Sequence, residues 1–457
     1  MTSAFTLSQT EAVAPVAAQE RSESLDVLRG AAVLGILLMN ILGFGLALHG
    51  GWNPTETTLN GGATRANLAY WFTSQVFFEG KMRCLFSLLF GAGAALFIAR
   101  GDERGGGLRV ADIYYRRTLW LLLFGVIHAY CVWSGDILYP YAVFGLMLFP
   151  FRQAKPKWLL VAGLTLFLLG AARGLWPVYD DYQLRARARA SASLAAEGKP
   201  LTEEQKADQK KWEEKEKRMK PDQERINKEV EAYRGSYAKL FMHRMPLVAS
   251  MQSSWLYRTG LSDIAAVMLI GMALLGAGVL TGERSNRFYI KLALCGYCVG
   301  GTINALTGWY LLRINFNPIE GYAAVLATYD IGRLLVALGH IGLLVWLVKR
   351  GWMRAATGRL AACGQMALSC YLWTSLICST LFYGYGFGLF AKLQRYQLLY
   401  VVFAIWVSLL IVCPLWLRHF RYGPMEWVWR SLTYWRRQPM RFRETATAPQ
   451  LEPSTAT

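Results

Sequence analysis

Charge is what this 457-residue chain has little of: Asp, Glu, Lys and Arg make up 17% of it, below the roughly one quarter usual in soluble domains. With 54% hydrophobic residues and a mean hydropathy of +0.25, a soluble globular fold is excluded. Several apolar runs reach the roughly 20 residues that cross a bilayer. Acid is scarcer still, 30 residues against 49 basic ones, for a net charge of +19. That excess does not indicate nucleic acid, because Lys and Arg sit in the loops between apolar runs. There they retain loops on the cytoplasmic side and meet anionic lipid. The eight cysteines all fall inside apolar segments, which excludes a disulfide framework and makes them small core residues. Cys295 and Cys298 form a CGYC, a redox or metal spacing in a soluble protein. Without a second Cys or His pair nearby, no metal is expected. No cleavable signal is expected either, since the first 20 residues are polar and Ala-rich and the run after them is long enough to span.

What is present divides the chain into five parts. Residues 1–20 have little to bury and read as a disordered cytoplasmic tail. A first membrane half, 21–178, holds spans one to five, and a second, 251–420, holds spans six to ten. Between them lies a Lys-, Glu- and Arg-rich stretch, 179–250, read as helices outside the membrane. Residues 421–457 form a basic, aromatic tail suited to lie on the inner leaflet. The predicted fold is all-α: a polytopic bundle of about ten transmembrane helices, both termini cytoplasmic, with a charged extracytoplasmic insert. The short inner loops are rich in Lys and Arg and the short outer ones are poor, which agrees with that orientation.

Only five histidines occur, so one inside an apolar run stands out. The stretch RRTLWLLLFGVIHAYCVWSGDILYPY carries His128 roughly 21 Å along a span at 1.5 Å per residue, and Asp136 at the following outer turn. Ionisable groups at such depth are costly and by default face a protein interior or a water-filled cavity. A neutral imidazole there is a usable general base, and Asp136 can orient it. A straight helix would hold the two about 12 Å apart, so contact requires the turn to fold back. The alternative is a structural histidine bonded to a neighbouring helix. Asn40 and His49, at the outer end of span one, form a second candidate pair, with Asn40 able to polarise a carbonyl. Charges inside other spans, Glu79, Lys81, Arg83, Asp263, Asp330 and Arg333, are read as a substrate channel or as internal ion pairs. The inner loop around Gly105, Gly106 and Gly107, with Arg104, Arg109, Arg116 and Arg117, is a candidate phosphate site, joined by Arg29 on span one. Retention of a cytoplasmic loop would produce the same sequence.

The segments SLDVLRGAAVLGILLMNI, EGKMRCLFSLLFGAG, GVIHAYCVWSGDILYPYAVFGL and GQMALSCYLWTSLICSTLFYGYGFGLF, with the tail LWLRHFRYGPMEWVWRSLTYWRRQP, resemble the DUF418 (YeiB-like) family of bacterial inner-membrane proteins. The likeness covers nearly all of the membrane part. In its first span and its helix number the family is similar to the transmembrane acyltransferases, including acyltransferase-3 proteins and heparan-α-glucosaminide N-acetyltransferases. That similarity implies acyl-CoA as a cytoplasmic co-substrate and an acceptor glycan, lipid or small molecule at the opposite side. Asn40 and His49 are the best matches to the acyltransferase site, at shorter spacing. The DUF418 pattern does not generally carry a histidine at that place, whereas the His of GVIH and the Asp of GDIL are typical of it. His128 and Asp136 therefore rank above His49. The rival reading is a transporter or exporter using the same charges as a proton or substrate path. Expected partners are the lipid bilayer with anionic lipids and the acceptor, not nucleic acid, and a homodimer is left open.

Overall fold

An apolar run in lipid satisfies its backbone groups only by closing hydrogen bonds within the segment, which requires helix. The computed structural model describes residues 22–47, 53–55, 61–219 and 222–441. Their regular structure is helical, apart from one bridge between Phe420 and Arg441. The first half comprises α1 (Glu23–Gly45), α2 (Arg65–Phe77), α3 (Lys81–Glu103), α4 (Gly107–Ile127), α5 (Leu138–Leu146) and the long α6 (Pro156–Ala196). After α7 (Glu203–Met219) and α8 (Gln223–Arg234), the chain returns through α9 (Tyr237–Gly276), which widens at Met251–Trp255 and Leu261–Ala265. The second half adds α10 (Asn286–Arg313), α11 (Pro318–Arg350), α12 (Arg354–Gln365), α13 (Ala367–Phe382), α14 (Leu398–His419) and α15 (Pro424–Thr433).

Among the described residues, seven helices are long and apolar enough to cross a membrane: α1, α2 with α3, α6, α9, α10, α11 and α14. The pair α12–α13, bent by 83°, makes an eighth if it is one span. Two further segments expected to cross fall short of that standard. α4 carries Arg109, Asp112, Arg116 and Arg117 along its first half, and α5 has 9 residues. Within the second crossing, α2 is broken from α3 at Gly80, whose φ of +74° favours glycine.

Small residues bring the crossings that frame the site together. A Cβ on Gly30 of α1 would overlap the Leu360 carbonyl, and one on Gly364 of α12 would overlap the Asp26 carbonyl. The apolar core joins α1 to α12, α13 and α14, and α3 to α9 and α11. Where α13 starts after the bend, its first N–H groups would be buried orphans. Glu426 of α15 accepts from Leu368 N at 2.7 Å, Ser369 N at 3.1 Å and Ser369 Oγ at 2.5 Å. Burial pushes the Glu426 carboxyl up, and the Ser369 hydroxyl and amide oppose that rise.

The charged stretch between the halves folds as the far end of α6, then α7 and α8, then the start of α9. α7 runs back along α6, joined by Arg187–Asp208 at 2.7 Å and by Lys215–Asp181. Tyr233 of α8 stacks on Phe390 at 4.3 Å, seating the stretch on the bundle.

Candidate functional site

α4 ends in a wide turn, His128–Val132, closed by Trp133 N to the His128 carbonyl at 2.9 Å. The chain reverses at once, and Asp136 comes back beside the turn. His128 Nδ1 lies 2.8 Å from Asp136 Oδ1, with both side chains almost wholly buried. Asp136 Oδ2 accepts from Tyr139 N at 2.7 Å, in the first turn of α5. The carboxylate is thus fixed by α5 while it holds an imidazole from α4. An acceptor at Nδ1 leaves the proton there and the lone pair on Nε2. Nε2 itself is buried with no hydrogen-bond partner among the described residues.

A cation from another element holds this turn. Arg244 of α9, fully buried, donates to the carbonyls of Tyr130, Cys131 and Val132, the last acceptors of the turn that ends α4. Tyr237 Oη adds a bond to the Cys131 carbonyl at 2.9 Å. On the opposite side the Tyr371 ring of α13 stands 5.1 Å from the His128 ring, and its hydroxyl accepts from Ile137 N at 3.2 Å.

A cavity of about 260 Å³ reaches from the Arg-rich end of the bundle to Tyr371. Leu89, Phe90, Leu121 and Leu368 give it apolar walls, and Phe86, Leu138, Tyr141 and Tyr371 are among its lining residues. Its charged lining is four arginines, Arg29, Arg100, Arg117 and Arg430, against two carboxylates, Asp26 and Glu426. Asp26 is engaged with Arg29 at 2.7 Å and Glu426 with the start of α13, so the cavity stays net positive. A second chamber of about 30 Å³ lies on another side of Asp136, lined by Ser134 and by Gln252, whose Nε2 has no partner among the described residues.

The structure joins His128 to Asp136 and brings Arg29 and Arg117 to one cavity. It does not bring the other candidates there. Asn40 is half-buried on α1, outside that lining, and His49 lies outside the described residues. Arg104 and Arg109 stay on the loop side, and Arg116 turns to Asp112 and the Thr433 carbonyl. The channel candidates separate into two groups. Arg83 and Arg333 share Asp263, Arg333 also holds Asp330 at 2.6 Å, and Arg83 bonds the Tyr329 hydroxyl at 2.9 Å. Lys81 instead donates to the Gln75 carbonyl at 2.5 Å beside Glu79, at the α2–α3 break.

Five cysteines are buried as expected, while Cys131, Cys295 and Cys298 are exposed on the helix surface. The sulfurs of Cys363, Cys370 and Cys413 lie within 4.8 Å of one another. Two of them serve as neutral donors to main-chain carbonyls, Cys363 to Leu409 and Cys370 to Cys363.

Sequence reasoning missed Arg100, Tyr371, Arg244, Trp429 and Arg430. For the tail, the available signal was Glu426, a lone acid between basic and aromatic residues, which has little reason to lie on an anionic leaflet. Arg244 gave a weaker signal, as a basic residue entering an apolar run.

A family model described as "Protein of unknown function (DUF418)" matches residues 274–436. The uncharacterized protein YeiB of Escherichia coli (strain K12) is 31% identical over 424 residues, covering 91% of this chain and 96% of the relative. The uncharacterized protein YxaH of Bacillus subtilis (strain 168) is 28% identical over 433 residues, 93% of this chain and 97% of the relative. An uncharacterized 39.9 kDa protein of Bacillus acidopullulyticus is 29% identical, with 94% and 99% covered. No solved structure matches.

Proposed function

For this chain, which belongs to the DUF418 family, we propose an integral-membrane acyltransferase that moves an acyl group from acyl-CoA to an acceptor hydroxyl or amine. The observation that carries the reading is the cavity whose arginines stand at one end and whose lining includes Tyr371, the ring packed against His128. An amphiphile with an anionic head fits that distribution of charge and apolar wall.

In this reading His128 Nε2 takes the acceptor's proton as its oxygen or nitrogen attacks the thioester carbonyl. The C–S bond breaks, the new C–O or C–N bond forms, and the proton passes to the departing CoA thiolate. Asp136 keeps the imidazole in the required tautomer and balances its transient charge. The Tyr371 hydroxyl is hydrogen-bonded to Asp136, and in this reading it turns from that carboxylate to polarise the carbonyl, a role Asn40 does not reach from outside the lining.

The same reading sets the topology. Adding α4 and α5 to the eight candidate crossings makes ten, both termini lie in the cytoplasm of a bacterial inner membrane, and α7 and α8 lie outside. Acceptors then approach from the α8–α9 side, and acyl-CoA from the basic end.

The test replaces His128 by Asn, which keeps a donor near the Nδ1 position for Asp136 and removes the base. Acyl-CoA consumption by purified protein in liposomes should fall by about 10²- to 10⁴-fold, with the melting temperature little changed. Full turnover in that variant overturns the role of His128.

One observation favours transport. Tyr371, His128, Asp136 and the chamber at Gln252 form a continuous polar line, as a proton path needs. Gradient-driven solute flux without acyl consumption would select that alternative.

A further inference from the structure

Adjacent arginines on α4 are finished in opposite ways. Arg116 pairs with Asp112 and donates to the Thr433 carbonyl. Arg117, one residue on, has no carboxylate and no side-chain hydrogen bond among the described residues. Its guanidinium instead lies between two rings, 4.2 Å from the Trp429 centroid and 5.2 Å from that of Phe97. Arg430 and Arg29, which line the same cavity, repel it. Four arginines against two carboxylates line this cavity, and Arg117 itself has no carboxylate among the described residues, so a half-buried excess of positive charge costs energy unless an anion occupies the space beside it.

We propose that Arg117, Arg430 and Trp429 form a phosphate-binding subsite, built jointly by α4 and the tail helix α15. The anion it takes is the phosphate head of an amphiphile whose chain lies along the apolar cavity wall. Trp429 fixes the Arg117 plane by stacking and is anchored through its Nε1 to the Arg117 carbonyl at 2.8 Å, so the fork stays open toward the cavity. Glu426 anchors the same helix to α13, which makes α15 a wall of the subsite as well as a surface element. This inference rests on the cavity being a ligand site, as proposed above, but not on transfer chemistry.

The experiment is calorimetric titration of the full chain in detergent with CoA, palmitoyl-CoA and inorganic diphosphate. A parallel measurement compares thermal unfolding in nanodiscs of phosphatidylglycerol and of phosphatidylcholine. CoA should bind, and palmitoyl-CoA more tightly because its chain enters the cavity. Arg117→Gln and Arg430→Gln should each weaken binding about tenfold or more, as loss of a charge-assisted hydrogen bond does. Arg104→Gln and Arg109→Gln, at the same basic end but outside the cavity, should bind within about twofold of wild type. His128→Asn should bind like wild type, so binding survives even if the transfer reading fails. Should Arg117→Gln not fold, Arg117→Lys keeps the charge but not the fork or the stack, and several-fold weakening is expected. If CoA does not bind but phosphatidylglycerol stabilises the protein through Arg117, the subsite holds a lipid phosphate. No response of any probe to Arg117, or equal losses at Arg104 and Arg117, overturns the subsite.

Discussion

Two of the charge groups inside the bundle are completed differently. Around Asp263 the charges match, although Arg333 Nε has no hydrogen-bond partner among the described residues: Arg83 and Arg333 share one aspartate, Asp330 holds Arg333, and Tyr329 bonds Arg83 while stacking under Arg333 at 4.8 Å. At the cavity and the turn beside it they do not match: among the described residues Arg117 has no carboxylate and His128 Nε2 no hydrogen-bond partner. The first arrangement fastens α3, α9 and α11, as buried ion pairs do when each charge has its counterpart. The second leaves a guanidinium without a counter-charge and an imidazole nitrogen without a partner among the described residues, and the proposed ligand site rests on that difference.

The contrast can be broken at its strong end first. Asp263→Ala leaves the buried Arg333 and the half-buried Arg83 without their shared counter-charge and should cost about 3–5 kcal/mol. A large fall in melting temperature and yield checks it. Arg244→Met should cost about 1.5–3 kcal/mol, because three carbonyls of the His128 turn lose a charged donor. It should also lower acyl transfer, measured beside the unfolding temperature of the same preparation. Arg117→Gln should change apo stability by less than about 1 kcal/mol while removing the stabilisation given by CoA, the reverse of the Asp263 result. At the weak end is Glu231 of α8, whose carboxyl Lys239 holds below the usual carboxylate range through a hydrogen bond. Its folded pKa is depressed, so any stability it adds is present above the unfolded carboxylate pKa and lost as pH falls through the folded one. The pair is fully exposed, and Glu231→Gln should leave the unfolding curve unchanged at neutral pH.

How far such differences can be read without a structure depends on where each signal lives. His128 and Asp136 were legible because an ionisable group in an apolar run is expensive, and that cost is visible in a linear sequence. Their contact was not, because it depends on a wide turn and a reversal that Arg244 stabilises from far along the chain. Asp330 and Arg333 were legible as neighbours on one helical face, whereas Asp263 joining them to Arg83 is a packing result. The tail was legible as amphipathic, but an interfacial helix and a cavity wall present the same pattern. Only the seat of Glu426 on α13 distinguishes them. The GGG loop read as a phosphate cradle, yet the arginines that meet the cavity come from α1, α3, α4 and α15.

The most direct measurement is photolabelling of the full chain in nanodiscs with a palmitoyl-CoA that carries a diazirine on the acyl chain near the thioester, followed by peptide mapping. Labels on Phe86, Leu138 or Tyr371, suppressed by excess CoA and by Arg117→Gln, are the expected result. Labels confined to lipid-facing positions such as Leu168 or Trp309, unaffected by CoA, would contradict an acyl site between the arginines and His128.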